Sequence, residues 1–262
     1  MIFGLFNGER SGPRGLKGRR AYAVGDIHGR LDLLDELLAK IERDLASSKR
    51  RIRANLIFLG DLIDRGPSSA QVVERLRTYV HRNVQPVFLL GNHEEVLLRI
   101  LRGDRALISS WLRFGGIQCL ESYGVNAKEL ARKRGQEALA IVQRAIPHEH
   151  VKFLESFMDT CRFGDYLFVH AGIRPGVELE QQSQTDLRWI REPFLFDDTD
   201  HGFTVVHGHT IAPAIEERGN RIGIDTGAYR TGVLTALIID GAERRFIDTR
   251  VVESPQVIER MH

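Results

Sequence analysis

Five stretches of this chain end in residue types that hold metal ions. They are Gly25-Asp26-Ile27-His28-Gly29, Gly60-Asp61, Gly91-Asn92-His93-Glu94, His170-Ala171-Gly172 and His207-Gly208-His209. Each closes a short apolar run, and each has a glycine near the donor, where the backbone can turn sharply. A single aspartate after such a run is ordinarily a helix cap, and a single histidine an ordinary hydrogen-bonding side chain. Five endings in one chain reverse that weighting. The donors are carboxylate, amide and imidazole, without thiolate. That set argues against a closed structural zinc site and suits Mn, Fe or Zn.

Such a set has a definite chemistry. Two cations about 3.5–4 Å apart need an anionic bridge, which an aspartate provides. Water held between them loses its proton near neutral pH, its pKa falling from ~15.7 towards ~7, and the hydroxide can attack phosphorus in line. No protein nucleophile is then needed. Phosphate oxygens call for planar, bidentate donors, which arginine offers and lysine does not.

The donors must be carried by elements that share an edge. Apolar runs at 21–26, 55–61 and 86–94 alternate with helical periodicity over 31–45, over 70–80 and up to 101. This β-α-β-α-β-α order predicts parallel strands with right-handed crossovers. In open α/β sheets, sites form at the carboxyl ends of the strands. From 106 to 157 the pattern is mostly helical, with a Phe-Gly-Gly break at 114–116. Closely spaced runs separated by glycine turns follow, and predict hairpins and a mixed sheet. The long 173–202 segment is predicted to be a loop that shapes the site.

Together GDIHG, GDLIDRG, GNHE, HAG and HGHT resemble the metal-dependent phosphoprotein phosphatase family. FGG at 114–116, WIRE at 189–192 and IDTGA at 224–228 resemble its bacterial and phage branch. The likeness runs from about residue 20 to 240. It implies an α/β metallophosphoesterase-type sandwich of two mixed β-sheets flanked by helices, in one calcineurin-like domain over 21–250. A mobile arm over 1–20, rich in Gly, Arg and Lys, and a tail over 251–262 flank that domain. Residue by residue, the resemblance implies that Asp26 and His28 hold one metal and Asp61 bridges two. Asn92, His170 and His209 hold the second, and Asn92 also reaches substrate. Manganese is the expected ion, with Fe or Zn as alternatives. His93 is the implied general acid, paired with Asp64, and such acids are typically worth ~10²–10⁴-fold. Arg65 and Arg191 are the implied phosphate-binding residues, with Arg188 a rival to Arg191. His207, Glu94 and Asp225 are read as supporting residues with open roles.

The activity so implied is that of a serine/threonine protein phosphatase acting on a phosphorylated protein or peptide. A diadenosine tetraphosphate hydrolase is the alternative, since that family shares most of these motifs and RGPSS at 65–69 resembles it. Its usual pattern has GNHD where this chain has Glu94, and no aspartate at position 64. A non-catalytic phosphoprotein-binding module is the third possibility, but it should have lost donors, and here every donor position is filled.

The remaining features set bounds. The chain has 262 residues and a formal net charge of +2, which gives no argument for nucleic acid or membrane as a partner. Cys119 and Cys161 form no C-x-x-C pair and are expected as thiols in a reducing compartment. The first apolar residues are too few for a signal-peptide core, so the expected location is the cytoplasm.

Overall fold

The ten strands of the structure, a computed structural model that describes residues 12–48, 52–130 and 132–250, form two five-stranded sheets. They are β1 (Arg19–Val24), β2 (Arg53–Phe58), β3 (Val84–Phe88), β4 (Thr160–Phe163), β5 (Tyr166–Val169), β6 (Thr204–His207), β7 (Glu216–Glu217), β8 (Arg221–Gly223), β9 (Thr235–Asp240) and β10 (Glu243–Asp248). The first sheet has the order β10-β9-β1-β2-β3, and the second β4-β5-β6-β8-β7. Strands β1, β2 and β3 are parallel, and so are β5, β6 and β8. The remaining partners are antiparallel, so both sheets are mixed.

Strand periodicity explains the layering. In β1, Tyr22 and Val24 face one way while Ala21 and Ala23 face the other. The alanine face joins Ile57, Phe168, Val206, Ile222 and Leu237 in a layer between the two sheets. The tyrosine face packs under the helices that follow each parallel strand, α1 (Leu31–Ala46), α2 (Ser69–Arg77) and α3 (Asn92–Leu101). In α1 the buried residues Leu33, Leu34, Leu37, Leu38, Ile41 and Leu45 recur at helical spacing. Each buried leucine contributes about 1.5–3 kcal/mol. The outer face of the second sheet, through Leu167, Val169 and Val205, is covered by Leu187, Ile190 and Phe194. The predicted sandwich of two mixed sheets flanked by helices is therefore what forms.

Two expectations change. The 173–202 segment is not an open loop: it carries a helix, Gln184–Trp189, and docks by its apolar residues onto β5 and β6. The arm predicted over 1–20 is not free where it is described. Gly15 N–H donates to Gly241 O (2.7 Å), Arg14 N–H to Asp165 Oδ2 (2.8 Å), and β1 begins at Arg19. Residues 1–11 and the predicted tail lie outside the described residues. The Phe-Gly-Gly break appears as a wide helical turn, Leu112–Gly116, between helices Ile108–Trp111 and Ile117–Ser122. Gly115 has φ +113°, and a Cβ there would collide with the Arg65 backbone, so only glycine seats this turn against the 64–65 loop. Among the described residues no helix is long and apolar enough to cross a membrane.

Candidate metal centre and active site

The parallel strands of both sheets deliver their carboxyl ends to one place. Asp26 and His28 follow β1, Asp61 follows β2, and Asn92 and His93 follow β3. His170 follows β5, and His209 lies just past β6. Hydrogen bonds join the two sheets there. His170 Nδ1 lies 2.8 Å from Leu59 O, and His209 N–H donates to both Asp26 oxygens at 3.2 and 3.1 Å. Among the described residues, five other than glycine have left-handed backbone: His28, Asp61, Asp64, Arg65 and His209, with φ between 45° and 71°. Such conformations cost on the order of 1–3 kcal/mol each and persist only where the surroundings impose them. All five are site residues named from the sequence.

Glu94 is what imposes the geometry on the β2 end. Its Oε2 accepts the N–H groups of Asp61 (2.9 Å) and Gly91 (3.1 Å), and its Oε1 those of Leu62 (2.8 Å) and Ile63 (3.3 Å). Burial pushes this carboxyl up, yet four amides that can only donate hold it as the carboxylate. Glu94 thus sews the Asp61 loop to the start of α3. Replacing it by alanine strands those amides. We expect a loss of about 3 kcal/mol, since a buried unsatisfied group costs about 1–3 kcal/mol. At about 2–4 °C per kcal/mol, that lowers Tm by about 6–12 °C, measurable by calorimetry. An unchanged Tm would contradict this role.

The tautomers show what the cluster lacks. His28 Nδ1 lies 2.8 Å from Ile63 O, and His170 Nδ1 is bonded to Leu59 O. A carbonyl only accepts, so both Nδ1 atoms carry hydrogen and both Nε2 atoms carry a lone pair. Those lone pairs face other acceptors. His28 Nε2 is 3.5 Å from Asp61 Oδ2, and His170 Nε2 is 3.4 Å from Asp61 Oδ1 and 3.0 Å from Asn92 Oδ1. His209 Nδ1, 2.9 Å from Asn92 Oδ1, is by the same rule an N–H donor, which leaves its buried Nε2 bare. Burial pushes the His28 imidazole down to about 3, and burial with the nearby His170 pushes His209 down to about 2, so both are neutral donors at pH 7. Buried acceptors facing acceptors fit interposed cations. The donors group as His28, Asp61 and His93, and as Asp61, His170 and His209, with Asp61 common to both. Asp26 lies outside either group. It is buried beside the Asp225 carboxyl, and burial first and that neighbour second push it upward.

His93 sits at the edge of this cluster. Its Nδ1 is 2.6 Å from Asp64 Oδ2, and its Nε2 is 3.2 Å from Arg65 Nη2. Burial disfavours the imidazolium, but the Asp61 and Asp64 carboxylates outweigh it and raise the pKa to about 9. Asp64 is held in turn. Trp111 Nε1 donates to the same Oδ2 at 2.9 Å, and the Asp64 N–H donates to Ser69 Oγ at 2.9 Å. Arg65 lies over the Tyr229 ring, 4.7 Å from its centroid.

The rival arginines separate. Arg188 is buried and tied to Asp159 (Nη2 to Oδ1, 2.6 Å) and Glu95 (Nη1 to Oε2, 3.5 Å). Arg191 lines one cavity together with Arg65, Asn92, His93 and His209. His207, read as a supporting residue, packs its ring against Phe194 at 5.1 Å, and its Nδ1 lies 3.1 Å from Gly208 O. Asp225 accepts the Gly227 N–H at 2.9 Å and adjoins Asp26, so it steadies a turn and not a ligand histidine. Trp111 and Tyr229 were not singled out from the sequence, and Trp189 figured only as the first residue of WIRE, without a role.

The chain resembles known proteins in sequence and in fold. The profile of the calcineurin-like phosphoesterases matches residues 19–231. The chain is 26% identical over 231 residues to the bis(5'-nucleosyl)-tetraphosphatase PrpE [asymmetrical] of Oceanobacillus iheyensis, covering 81% of this chain and 86% of that one. It is 29% identical over 225 residues to serine/threonine-protein phosphatase 1 of Salmonella typhimurium, covering 83% and 90%. A crystal structure of a candidate diadenosine tetraphosphatase superposes with a TM-score of 0.63 at 22% identity, over 90% of this chain and 96% of that one, a likeness in fold.

Proposed function

The chain belongs to the calcineurin-like phosphoesterase family, and from that premise we propose that it is a metal-dependent hydrolase of dinucleoside polyphosphates. The hydrolase reading rests on one observation above all: the bare Nε2 atoms of His28 and His170 face the Asp61 oxygens, and that of His170 also faces the Asn92 oxygen, with no hydrogen between them. His28, Asp61, Asn92, His170 and His209 would hold two divalent ions, with Asp26 completing the first site. When bound, the ions supply Lewis-acid charge and an activated water.

The chain's own residues do the rest. Arg65 and Arg191, on the wall of the same cavity, bind phosphate oxygens and fix their orientation. His93, charged through Asp61 and Asp64 and set beside Arg65 on the wall of the same cavity, gives a proton to the departing oxygen. Asp64 holds the ring by Nδ1, and Trp111 holds Asp64.

The substrate class draws support from the PrpE relative, which aligns over most of both chains. Two arginines in one cavity also suit more than one phosphate. The sequence alone put protein phosphatase first, on two departures from the tetraphosphatase pattern. One of them loses its weight. Glu94 bonds backbone amides and is fully buried, so it does not read the substrate. The other, Asp64, favours a second reading. An alkoxide leaving from phosphoserine needs a proton more than a nucleotide leaving through a phosphate oxygen, and the Trp111–Asp64–His93 chain serves that need. The Salmonella relative agrees with it.

A turnover panel separates the two. Metal-stripped protein receives manganese and then diadenosine tetraphosphate, a phosphoserine peptide or a phosphotyrosine peptide. We expect nucleotide products from the first to form at least about tenfold faster per active site than phosphate from either peptide. Phosphate release from the peptides alone would replace this substrate by phosphoprotein.

A further inference from the structure

We infer that the aromatic cleft opening from the metal centre is a nucleobase-binding subsite, with Phe114 and Trp189 as its stacking faces. The inference rests on the nucleotide reading above and says where the nucleoside goes. The cleft is the cavity of about 350 Å³ whose lining includes Arg65, Arg191 and His93. Val96, Leu107, Trp111, Phe114 and Trp189 supply its apolar walls. Small-molecule sites have this size, roughly 300–1,000 Å³, and this mixture of apolar walls and few polar groups.

The aromatic rings are set in place before anything binds. Trp189 donates its indole N–H to Glu95 Oε2 at 3.0 Å, and Glu95 is in turn paired with Arg188. Trp111 is fixed by Asp64. Phe114 stands 64% exposed on the turn that Gly115 makes possible, and Trp189 is 39% exposed. Large apolar rings held in water by rigid, hydrogen-bonded supports gain when a flat apolar partner covers them. The lining combines guanidinium groups suited to phosphate, Arg65 and Arg191, with the rings of Phe114 and Trp189. An occupant with a polyanionic chain and a flat base matches that combination. Any base serves, because each has a π-face.

Trp111 and Trp189 are the only two tryptophans of the chain, so its indole fluorescence reports on this cleft. The test titrates manganese-loaded protein with α,β-methylene-ADP, which resists hydrolysis, and with methylenediphosphonate, which has no nucleoside. The nucleotide should quench and bind about 5- to 150-fold more tightly than the diphosphonate, the range that stacking one base provides. Phe114→Ala should cut that ratio at least fivefold, and Phe114→Tyr, which keeps the ring, should restore it. Equal affinities for the two compounds, or a ratio untouched in Phe114→Ala, overturn the inference. Diadenosine tetraphosphate hydrolysis is assayed in parallel. Its absence with the nucleoside preference intact removes the substrate reading and leaves the cleft's role standing. Hydrolysis without any nucleoside preference removes the cleft and leaves the substrate reading.

Discussion

Replacing Asp61 by asparagine should lower metal-dependent turnover by well over about 10²-fold. Outer-shell partners of a metal typically cost 10–100-fold when removed, and Asp61 is the centre of the cluster, not its periphery. Its two oxygens face different histidines, His28 and His170, so no other residue can take its place between the two donor groups. The amide keeps the shape and loses the charge. The fold should survive, because Glu94 holds the loop through backbone amides that the substitution leaves in place. The measurement is the rate at saturating manganese beside bound manganese per chain. Wild-type rate in this variant would remove Asp61 from the centre.

His93→Asn comes next in size, and its effect should depend on the leaving group. On a phosphoserine peptide the loss should reach ~10²–10⁴-fold, the usual worth of a general acid. On p-nitrophenyl phosphate, whose leaving group needs little protonation, it should be much smaller. The pH dependence follows from the sign of the shift. Burial opposes the charge, but Asp61 and Asp64 raise the imidazole to about 9, so the acid is protonated below that value and is lost as pH rises through it. The wild-type rate on the peptide should therefore fall on the alkaline side near pH 9. Asp64→Asn removes one of the two raising carboxylates, and should move that limb to lower pH. Equal losses on both substrates in His93→Asn would show that the ring positions and does not donate.

The donors were legible in the sequence for a physical reason. Parallel strands buried on both faces read as apolar runs, and a run that stops at glycine and a donor marks a strand's carboxyl end. That rule brings out Asp26, His28, Asp61, Asn92, His93, His170, His207 and His209 alike, and the choice of six ligands among them rests on the family resemblance. The supports were not legible, because they join residues far apart in the chain. Trp111 meets Asp64 across 47 positions, and Trp189 meets Glu95 across 94. Arg188 and Arg191 look alike in sequence, and only the position of Asp159 decides which guanidinium is already occupied. Glu94 lies in a recognised motif, yet its partners are backbone amides, which leave no trace in residue identity. The docking of 173–202 was missed because Leu187, Ile190 and Phe194 are too sparse to give a period, and bury only once β5 and β6 have formed their outer face.

The most direct measurement is a manganese titration into metal-stripped protein, following bound ion and the rate of diadenosine tetraphosphate hydrolysis together. The donor geometry predicts no turnover in chelator and two manganese ions per chain at full rate. Full turnover in chelator, or full turnover with a single ion bound, would contradict a centre built on Asp61 as a bridge.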